Sequence, residues 1–360
     1  MSIIEKLNVS AVRNLGSLDI VPAPTINVLH GENGSGKTSI LESIHLLATG
    51  RSFRTSKIDP LINSDQEQAV VFARLQDGKE IGLSKSRRQS HELRFRSEKQ
   101  RNWESVAREV PVQILDSNSF LLLEGGPMSR RQFLDWGVFH VEQSFVENWR
   151  RTKKSIANRN LLLKQRTPDF AQISAWDSEL CNAAREVDRA RSEYLQIFLP
   201  LLMKLYSEMD GAEAEALEID YECGWDRERG LEQVLTDNRS LDARYGATQN
   251  GPHRADLSFK IGRSKAVEIL SRGQQKILVS AMKLAQGLLL SEALDRSCVF
   301  LVDDLPSELD KVNREAVLAQ LVGLGGQVFI TCVEIDAVLN CLPEALEVAT
   351  FHVERGTITA

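Results

Sequence analysis

The sequence predicts an α/β fold in which a parallel core with a phosphate-binding loop carries an antiparallel accessory β-sheet and an inserted short helical arm. Two nucleotide-type motifs lie far apart, a glycine-rich loop at residues 31–38 and an apolar strand ending in two carboxylates at residues 299–304. Between them, residues 129–208 show long helical periodicity. We therefore interpret the arm as an insertion into one discontinuous head. The predicted segments are 1–128 for the first part of the head, 129–212 for the arm and 213–360 for the rest of the head.

Composition and charge exclude several classes of protein. With 42% hydrophobic and 26% charged residues in 360, the balance is that of a globular protein rather than a disordered or membrane protein. No cleavable signal is visible and no membrane span is expected, so we predict a cytoplasmic protein. The five cysteines include no C-x-x-C pair, which argues against a disulfide framework and a zinc site. A net charge of −6 means that a nucleic-acid partner would need a local basic patch.

The glycine-rich loop fits G-x-x-x-x-G-K-[ST] at every fixed position. A short apolar strand at residues 24–30 precedes it and helical spacing at residues 39–47 follows it, so backbone N–H groups and the helix dipole would meet an anion. Lys37 would neutralise the β- and γ-phosphates, and the Thr38 hydroxyl would ligate Mg²⁺. The alternative is a glycine-rich turn ahead of an ordinary helix. The predicted nucleotide-binding residues are Gly31, Glu32, Asn33, Gly34, Ser35, Gly36, Lys37 and Thr38.

Strand-like alternation on both sides of the loop predicts the accessory sheet, with Asp-Gly at residues 77–78 as a hairpin signal. Basic residues are concentrated in these hairpins, and Arg87 and Arg88 are candidate DNA contacts. A charged, solvated hairpin face is the alternative interpretation. The strands predicted outside the two motifs are residues 3–12, 18–21, 68–75, 80–84, 91–96, 111–115 and 327–331.

The arm is predicted to be helical, with a break near residues 167–169 and an interruption at Pro200. Two helices of roughly 30 residues would reach about 45 Å, which is a short arm. Residues 150–166 contain basic residues and no acidic residue, and this is the strongest candidate surface for nucleic acid. A solvated helix face is the alternative. The candidate DNA contacts are Arg150, Arg151, Lys153, Lys154 and Arg159.

The second half of the predicted site follows the arm. The strand at residues 299–304 has the form of a Walker B strand, in which Asp303 would hold Mg²⁺ through water and Asp304 would orient or deprotonate the attacking water. Ser271 precedes a helix predicted from residue 276 to about 294, and serine is a natural helix cap. Its hydroxyl, the Gly273 N–H and the helix dipole would together make a second anion site.

Residues 270–275 resemble the LSGGQ signature of ABC-type ATPases, whose serine contacts the γ-phosphate held by the other subunit. Residues 307–310 resemble the D-loop of the same superfamily. The resemblance implies an ABC-type ATPase head that uses ATP and Mg²⁺, with Lys37, Asp303 and Asp304 as catalytic residues and Ser271 acting in trans. The signature and D-loop residues so implied are Ser271, Arg272, Gly273, Gln274 and Asp310.

Together with the paired aspartates, the segments GRSFR at residues 50–54, SRRQFLDW at 129–136 and GPHR at 251–254 resemble the RecF family of bacterial recombination mediators. The resemblance covers essentially the whole chain. It implies a head related to those of SMC proteins, an ATP-dependent homodimer, and binding to gapped, single-stranded or junction DNA. It also implies weak, DNA-dependent ATP hydrolysis, and work with RecR and RecO in helping RecA to load during repair and replication restart.

Several positions depart from the family pattern. Ala255 stands where many relatives have an acidic residue, so its segment is given a structural or interface role. A Pro-Glu pair is replaced at residues 117–118, which leaves Gln113 as the candidate for the Q-loop position. Residues 331–332 lack the switch histidine of ABC transporters, and Asp304 is shorter than the usual glutamate. We therefore expect slow hydrolysis, which suits ATP as a dimerisation switch.

Two other classes of function share these motifs. One is the nucleotide-binding subunit of an ABC transporter, against which stand the missing histidine and the long helical insertion. The other is a structural DNA-binding protein in which ATP is a dimerisation ligand and is not turned over.

Overall fold

The computed structural model describes residues 3–209 and 214–359. Within these ranges the chain forms two compact units, the first made of residues 3–120, 208–209 and 276–359 and the second of residues 121–207 and 214–275. The second unit is thus inserted into the sequence of the first. The predicted α/β class is also confirmed.

The strands form where the sequence shows alternation or a short apolar run. Most predicted strands agree with the observed ones to within two residues, since one side of each is buried in a core. In chain order they are β1 (Ile4–Ser10), β2 (Ser17–Ile20), β3 (Ile26–His30), β4 (Gln68–Leu75), β5 (Glu80–Ser86), β6 (Glu92–Phe95), β7 (Glu98–Gln100), β8 (Val112–Leu115), β9 (Leu217–Glu222), β10 (Asp256–Ile261), β11 (Ser264–Lys265), β12 (Val299–Val302), β13 (Val328–Cys332), β14 (Val348–Glu354) and β15 (Thr357–Thr359).

The helices range from single turns to one of 39 residues at Phe170–Glu208, which is the longest helix of the arm. Short 3₁₀ turns occur at Asp59–Leu61, Ser117–Phe120, Ala214–Ala216 and Pro252–Arg254. The α-helices are α1 (Lys37–Thr49), α2 (Glu104–Glu109), α3 (Leu121–Glu124), α4 (Pro127–Val141), α5 (Phe145–Leu163), α6 (Phe170–Glu208), α7 (Leu231–Asp237), α8 (Arg239–Tyr245), α9 (Ala266–Ile269), α10 (Arg272–Leu294), α11 (Leu305–Glu308), α12 (Lys311–Gly323) and α13 (Asp336–Leu339).

A six-stranded sheet in the order β15-β14-β3-β13-β12-β8 carries both motif strands. The pairs from β14 to β8 are parallel, and β13 lies between β3 and β12. Because the carboxyl ends of parallel strands meet at one edge, the loop after β3 and the aspartates after β12 are brought to the same edge. The fold therefore places the two predicted halves of the site together.

The antiparallel accessory sheet of the same unit has the order β2-β1-β4-β5-β6-β7. Its predicted Asp-Gly hairpin is confirmed, with Gly78 at a φ of 81° in the turn between β4 and β5. Alternate residues such as Leu7 and Val71 are buried, and they share one core with Ile40 and Ile44 of α1. The sheet thus packs on the helix that begins at the phosphate loop.

The second unit contains the arm helices α5 and α6 and the sheet β11-β10-β9. The predicted break near residues 167–169 is confirmed, because α5 ends at Leu163 and α6 begins at Phe170. The predicted interruption at Pro200 is wrong: α6 continues through it, and the buried Phe198 and Leu202 keep the apolar face continuous. At 1.5 Å per residue the helices measure about 28 and 58 Å, so they are unequal rather than two of roughly equal length.

The units differ from the predicted segments in two ways. The second unit begins at Leu121 rather than residue 129, and it includes residues 214–275, which the sequence analysis assigns to the head. These residues supply β9 and β10, which pair with each other within that unit. The predicted boundary at residues 212–213 lies outside the described residues.

By length and composition α10 could cross a membrane, contrary to the expectation that no segment could. Its most apolar window is 67% buried within the protein, as in the core helix of a globular fold.

Candidate nucleotide-binding site

The phosphate loop connects β3, which ends at His30, to α1, which begins at Lys37. Gly31 and Gly36 have φ values of 142° and 121°, which disfavour any side chain. A Cβ on Gly31 would also lie 2.3 Å from the carbonyl oxygen of Val353, and one on Gly36 would lie 2.7 Å from a methyl group of Leu15. The loop can therefore take this path only with glycine at both positions.

The Lys37 ammonium folds back over the loop. Its Nζ donates hydrogen bonds to the carbonyl oxygens of Gly31 at 2.7 Å and Glu32 at 2.8 Å. Desolvation lowers the pKa of Lys37, while the nearby Asp304 and Asp303 act in the opposite direction. The ammonium is thus held at the mouth of the loop, where an anion on the backbone N–H groups would lie within its reach.

Asp303 is the centre of a polar cluster built from three elements. Its Oδ1 accepts hydrogen bonds from the hydroxyls of Thr38, at 2.9 Å, and Thr331, at 2.7 Å. The Thr331 Oγ1 in turn accepts from the backbone N–H of Asp304 at 2.8 Å. Burial raises the pKa of Asp303, with the nearby carboxylates of Asp116 and Asp304 adding to the effect.

This donor set fits a small divalent cation. Thr38 and Asp303 present a hydroxyl and a carboxylate side by side, and hard cations such as Mg²⁺ take oxygen ligands from one or two protein groups plus phosphates and water. Asp303 is partly buried, so desolvation makes its negative charge unfavourable, and a cation would neutralise that charge. The two residues predicted to hold Mg²⁺ are therefore adjacent.

Asp304 has a left-handed backbone, with φ 51° and ψ 46°, directly before α11. Such a conformation is unfavourable for a residue with a β-carbon, and residues of this kind concentrate at functional sites. Its side chain lines the same cavity as Lys37 and Thr38. The structure thus brings Lys37, Thr38, Asp303 and Asp304 together.

The cavity that they line has a volume of about 860 Å³, and residues outside the sequence motifs also line it. Asn14 joins the phosphate loop to α1, since its Nδ2 donates to the Gly34 carbonyl at 2.9 Å and its Oδ1 accepts from Ser39 at 3.0 Å. In sequence this segment is only a turn between two strands. Further lining residues outside the motifs are Arg13, Arg54, Asp59, Pro60, Ile62, Asn63, Ser64, Asp65, Arg87 and Thr331.

Two arginines of this wall share one buried acid, Glu42 of α1. The Arg13 guanidinium donates to it through Nε at 2.8 Å and Nη2 at 2.7 Å. Arg54 lies 3.6 Å from the same carboxylate. The sequence gives no sign that Glu42 binds two arginines, because Arg13 and Arg54 lie in loops before and after α1.

Three sequence expectations about the head need correction or refinement. Gln113 is buried on β8 and donates to Gln286 at 2.7 Å inside the core, so it does not take the Q-loop position at the nucleotide cavity. Arg87 lines the nucleotide cavity and donates to the Ile62 carbonyl at 3.1 Å, which places it at this site rather than on a separate DNA face. Arg88 remains exposed, 3.2 Å from Glu67.

Ser271 lies in the second unit, at the N-terminus of α10. Its backbone N–H donates to Gln274 Oε1 at 2.8 Å, and its Oγ accepts from the Gln274 N–H at 3.3 Å. This reciprocal pair is a capping box, and it starts α10 at Arg272 instead of the predicted residue 276. The Ser271 residue stays exposed. Asp310 likewise caps α12 by accepting from the Asn313 N–H at 3.0 Å.

Four of the basic residues of α5 lie at the protein surface. Arg151 pairs with Glu179 at 2.8 Å, and Lys153 lies 5.3 Å from the ring centre of Trp149. Arg150, Arg151, Lys153 and Lys154 are exposed.

Arg159 is wrongly predicted as a surface contact. It is fully buried, with Nε 2.5 Å from Asp177 and Nη1 2.6 Å from Asp242. Arg159 therefore holds the second unit together and is not available to DNA.

The sheet order and this cavity define the head of an ABC-type ATPase of the kind found in SMC proteins. The family model described as the RecF/RecN/SMC N terminal domain matches residues 3–359. The DNA replication and repair protein RecF of Pseudomonas fluorescens (strain SBW25) is 44% identical over 360 residues, which covers 99% of this chain and 98% of that protein. RecF of Pseudomonas entomophila (strain L48) is 42% identical with the same coverage. The chain belongs to the RecF family.

Solved structures agree with this assignment. The structure titled as the recombination mediator protein RecF-ATP in the RecFOR pathway matches with a TM-score of 0.84 and 25% identity, covering 99% of this chain and 97% of that one. An Smc head bound to the C-winged helix domain of ScpA matches with a TM-score of 0.60 and 13% identity, which shows the shared fold alone.

Proposed function

We propose that this protein is an ATP-gated, DNA-binding dimer of recombinational repair and replication restart. The observation that carries the proposal is the cluster in which Thr38 and Thr331 fix Asp303 beside Lys37 and the strained Asp304. Membership in the RecF family supports it, since relatives are named DNA replication and repair proteins and one solved structure is named for ATP. We place the protein in the cytoplasm, with its DNA.

Each residue of the cluster has a separate task in the proposed mechanism. The loop N–H groups and Lys37 bind the β- and γ-phosphates of ATP. Thr38 and Asp303 hold Mg²⁺, which when bound neutralises developing charge on the phosphates. Asp304 orients the attacking water from its left-handed position. With an aspartate in this role, hydrolysis is slow. The dimer therefore lasts as long as the triphosphate stays bound and unhydrolysed.

The second copy completes the site. The exposed Ser271 and the N-terminus of the 23-residue helix α10 supply a hydroxyl and oriented N–H groups, which suit a γ-phosphate held by the partner. The dimer then binds gapped, single-stranded or junction DNA and, with RecR and RecO, helps RecA to load. Exposed cations of α5, namely Arg150, Arg151, Lys153 and Lys154, are the proposed arm contacts.

Sedimentation velocity with ADP, with a non-hydrolysable ATP analogue, and with that analogue plus gapped DNA tests the proposal. We expect a monomer with ADP, a dimer with the analogue and tighter DNA binding by the dimer. Lys37→Met should abolish the response to nucleotide, whereas Ser271→Arg should bind ATP without dimerising. An unchanged species in all three conditions would overturn the proposal, although the fold would stand.

A protein that uses ATP as a ligand only is the second candidate, because Asp304 is shorter than a typical catalytic glutamate. Asp304→Asn separates the two candidates. If the switch mechanism holds, this variant slows phosphate release and prolongs the dimer. Equal phosphate release and equal dimer lifetime in wild type and variant would favour the ligand-only candidate.

A further inference from the structure

A second cavity of the first unit, with a volume of about 420 Å³, lies against the loop that follows α1. Its floor is apolar, with the side chains of Leu46 and Leu61. Its rim carries three cations and three hydroxyl groups. Among the residues that the structure describes, no carboxylate lines it. The polar lining residues are Arg51, Ser52, Thr55, Ser56, Lys57 and Lys85.

Within the described residues, none of the three cations is paired with a carboxylate. Arg51 and Lys57 are exposed, and neither side chain forms a hydrogen bond or ion pair within the described part of the chain. Lys85 is half-buried; its Nζ donates to the Gly50 carbonyl at 3.0 Å and lies 4.9 Å from the ring centre of Trp103. Desolvation lowers the pKa of Lys85 without any opposing acid. Three cations that line one concave space would favour an anion there.

The wall of the cavity is fixed before any ligand binds. Gly50 ends α1 in a left-handed conformation with a φ of 73°, and a Cβ there would lie 2.4 Å from the Trp103 ring. The Ser52 hydroxyl oxygen accepts from the backbone N–H groups of Arg54 and Thr55, each at 3.0 Å. A loop held in this way loses little conformational entropy when it binds a ligand.

The same loop also forms one wall of the nucleotide cavity. Arg54 lines that cavity, and Ser52 lines the second one. The Ser52 hydroxyl donates to Glu42, the buried carboxylate that also holds Arg13 and Arg54. A ligand in the second cavity therefore sits on a loop that the nucleotide site also uses.

We propose that this second cavity binds a phosphodiester of a DNA strand, with Arg51, Lys57 and Lys85 around the phosphate and the apolar floor under the adjoining sugar. The proposal rests on the DNA binding proposed above and adds a contact site on the head to the arm contacts. The volume and the apolar floor suit a nucleotide unit of a strand better than a free phosphate ion. The contacts are to the backbone, so they confer no base specificity.

The test compares Arg51→Gln/Lys57→Gln with a control double variant, Lys6→Gln/Arg74→Gln, which removes the same charge from exposed ion pairs of the same unit. Binding of a fluorescently labelled gapped duplex is followed by anisotropy between about 50 and 200 mM NaCl, with the ATP analogue present. We expect the first variant to bind more weakly and its salt slope to fall by about 1, because both cations act on the same phosphate. ATP binding should be unchanged in both double variants, because none of their four positions lines the nucleotide cavity.

Other outcomes overturn the inference in distinguishable ways. If wild type binds the duplex and the first variant binds equally well with the same salt slope, the cavity is not a DNA site and the proposed function survives. If wild type binds no DNA with any nucleotide, the proposed function fails and this inference fails with it. If the first variant keeps its DNA binding but loses a thermal stabilisation that inorganic phosphate gives to wild type, the occupant is a free anion and the inference is wrong.

Discussion

At the scale of single residues, Thr331 connects the two aspartates of the site. Its hydroxyl donates to Asp303 and accepts from the Asp304 backbone N–H, so it orients both. A hydrogen bond to a charged group contributes about 1.5–3 kcal/mol. We expect Thr331→Val to weaken ATP binding in the presence of Mg²⁺ by roughly tenfold or more, and to leave binding without Mg²⁺ nearly unchanged. Titration calorimetry with and without a chelator measures both.

Thr331→Ser is the matched control, because it keeps the hydroxyl and loses only a methyl group. It should retain most of the Mg²⁺-dependent affinity. If the serine and valine variants lose affinity equally, packing of Thr331 and not its hydroxyl supports the site, and the positioning role is wrong.

At the scale of elements, the packing of α5 depends on one buried cation. Arg159 bonds to Asp177 of α6 and to Asp242 and Thr248, whose Oγ1 accepts at 3.0 Å. Removing one partner of a buried ion pair leaves an uncompensated charge and costs about 3–5 kcal/mol. We expect Arg159→Ala to destabilise the second unit by that amount in urea unfolding. Lys154→Ala, an exposed change on the same helix, should stay within about 0.5 kcal/mol of wild type.

Normal stability combined with weakened DNA binding in the Arg159→Ala protein, relative to the Lys154→Ala protein, would support the prediction that Arg159 is a surface contact. Far-UV circular dichroism on both variants ensures that DNA binding is compared between folded proteins.

The site motifs could be predicted from sequence because their geometry is local. Residues 31–38 and 299–304 each combine a strand end with the functional side chain, and parallel pairing through β13 then brings the two together. Arg159 could not be predicted in this way, since its acids lie 18 and 83 residues away along the chain. The sequence shows that Arg159 is basic. Whether it is buried depends on which acidic residues lie near it in the fold, and their positions cannot be read from the sequence.

At the scale of the whole molecule, the two proposed anion-binding elements belong to different compact units of one chain. The phosphate loop is in the first unit and Ser271 is in the second. In a two-fold symmetric dimer, the Ser271 of each copy would face the phosphate loop of the other copy, which would give two equivalent composite sites. This arrangement makes the two halves of the site separable by mutation.

A mixing experiment tests that separation. Lys37→Met removes the phosphate cation but keeps Ser271, whereas Ser271→Arg keeps the loop but blocks the partner's γ-phosphate. Neither variant should dimerise alone with the ATP analogue. Their mixture should form heterodimers that contain one intact composite site and hold one nucleotide, at protein concentrations above those that wild type needs. Sedimentation with differently labelled variants detects the mixed species directly. A mixture that sediments as two monomers at every concentration, while wild type dimerises, would mean that Ser271 does not meet the nucleotide of a partner, because the mixture contains every part that the composite site requires.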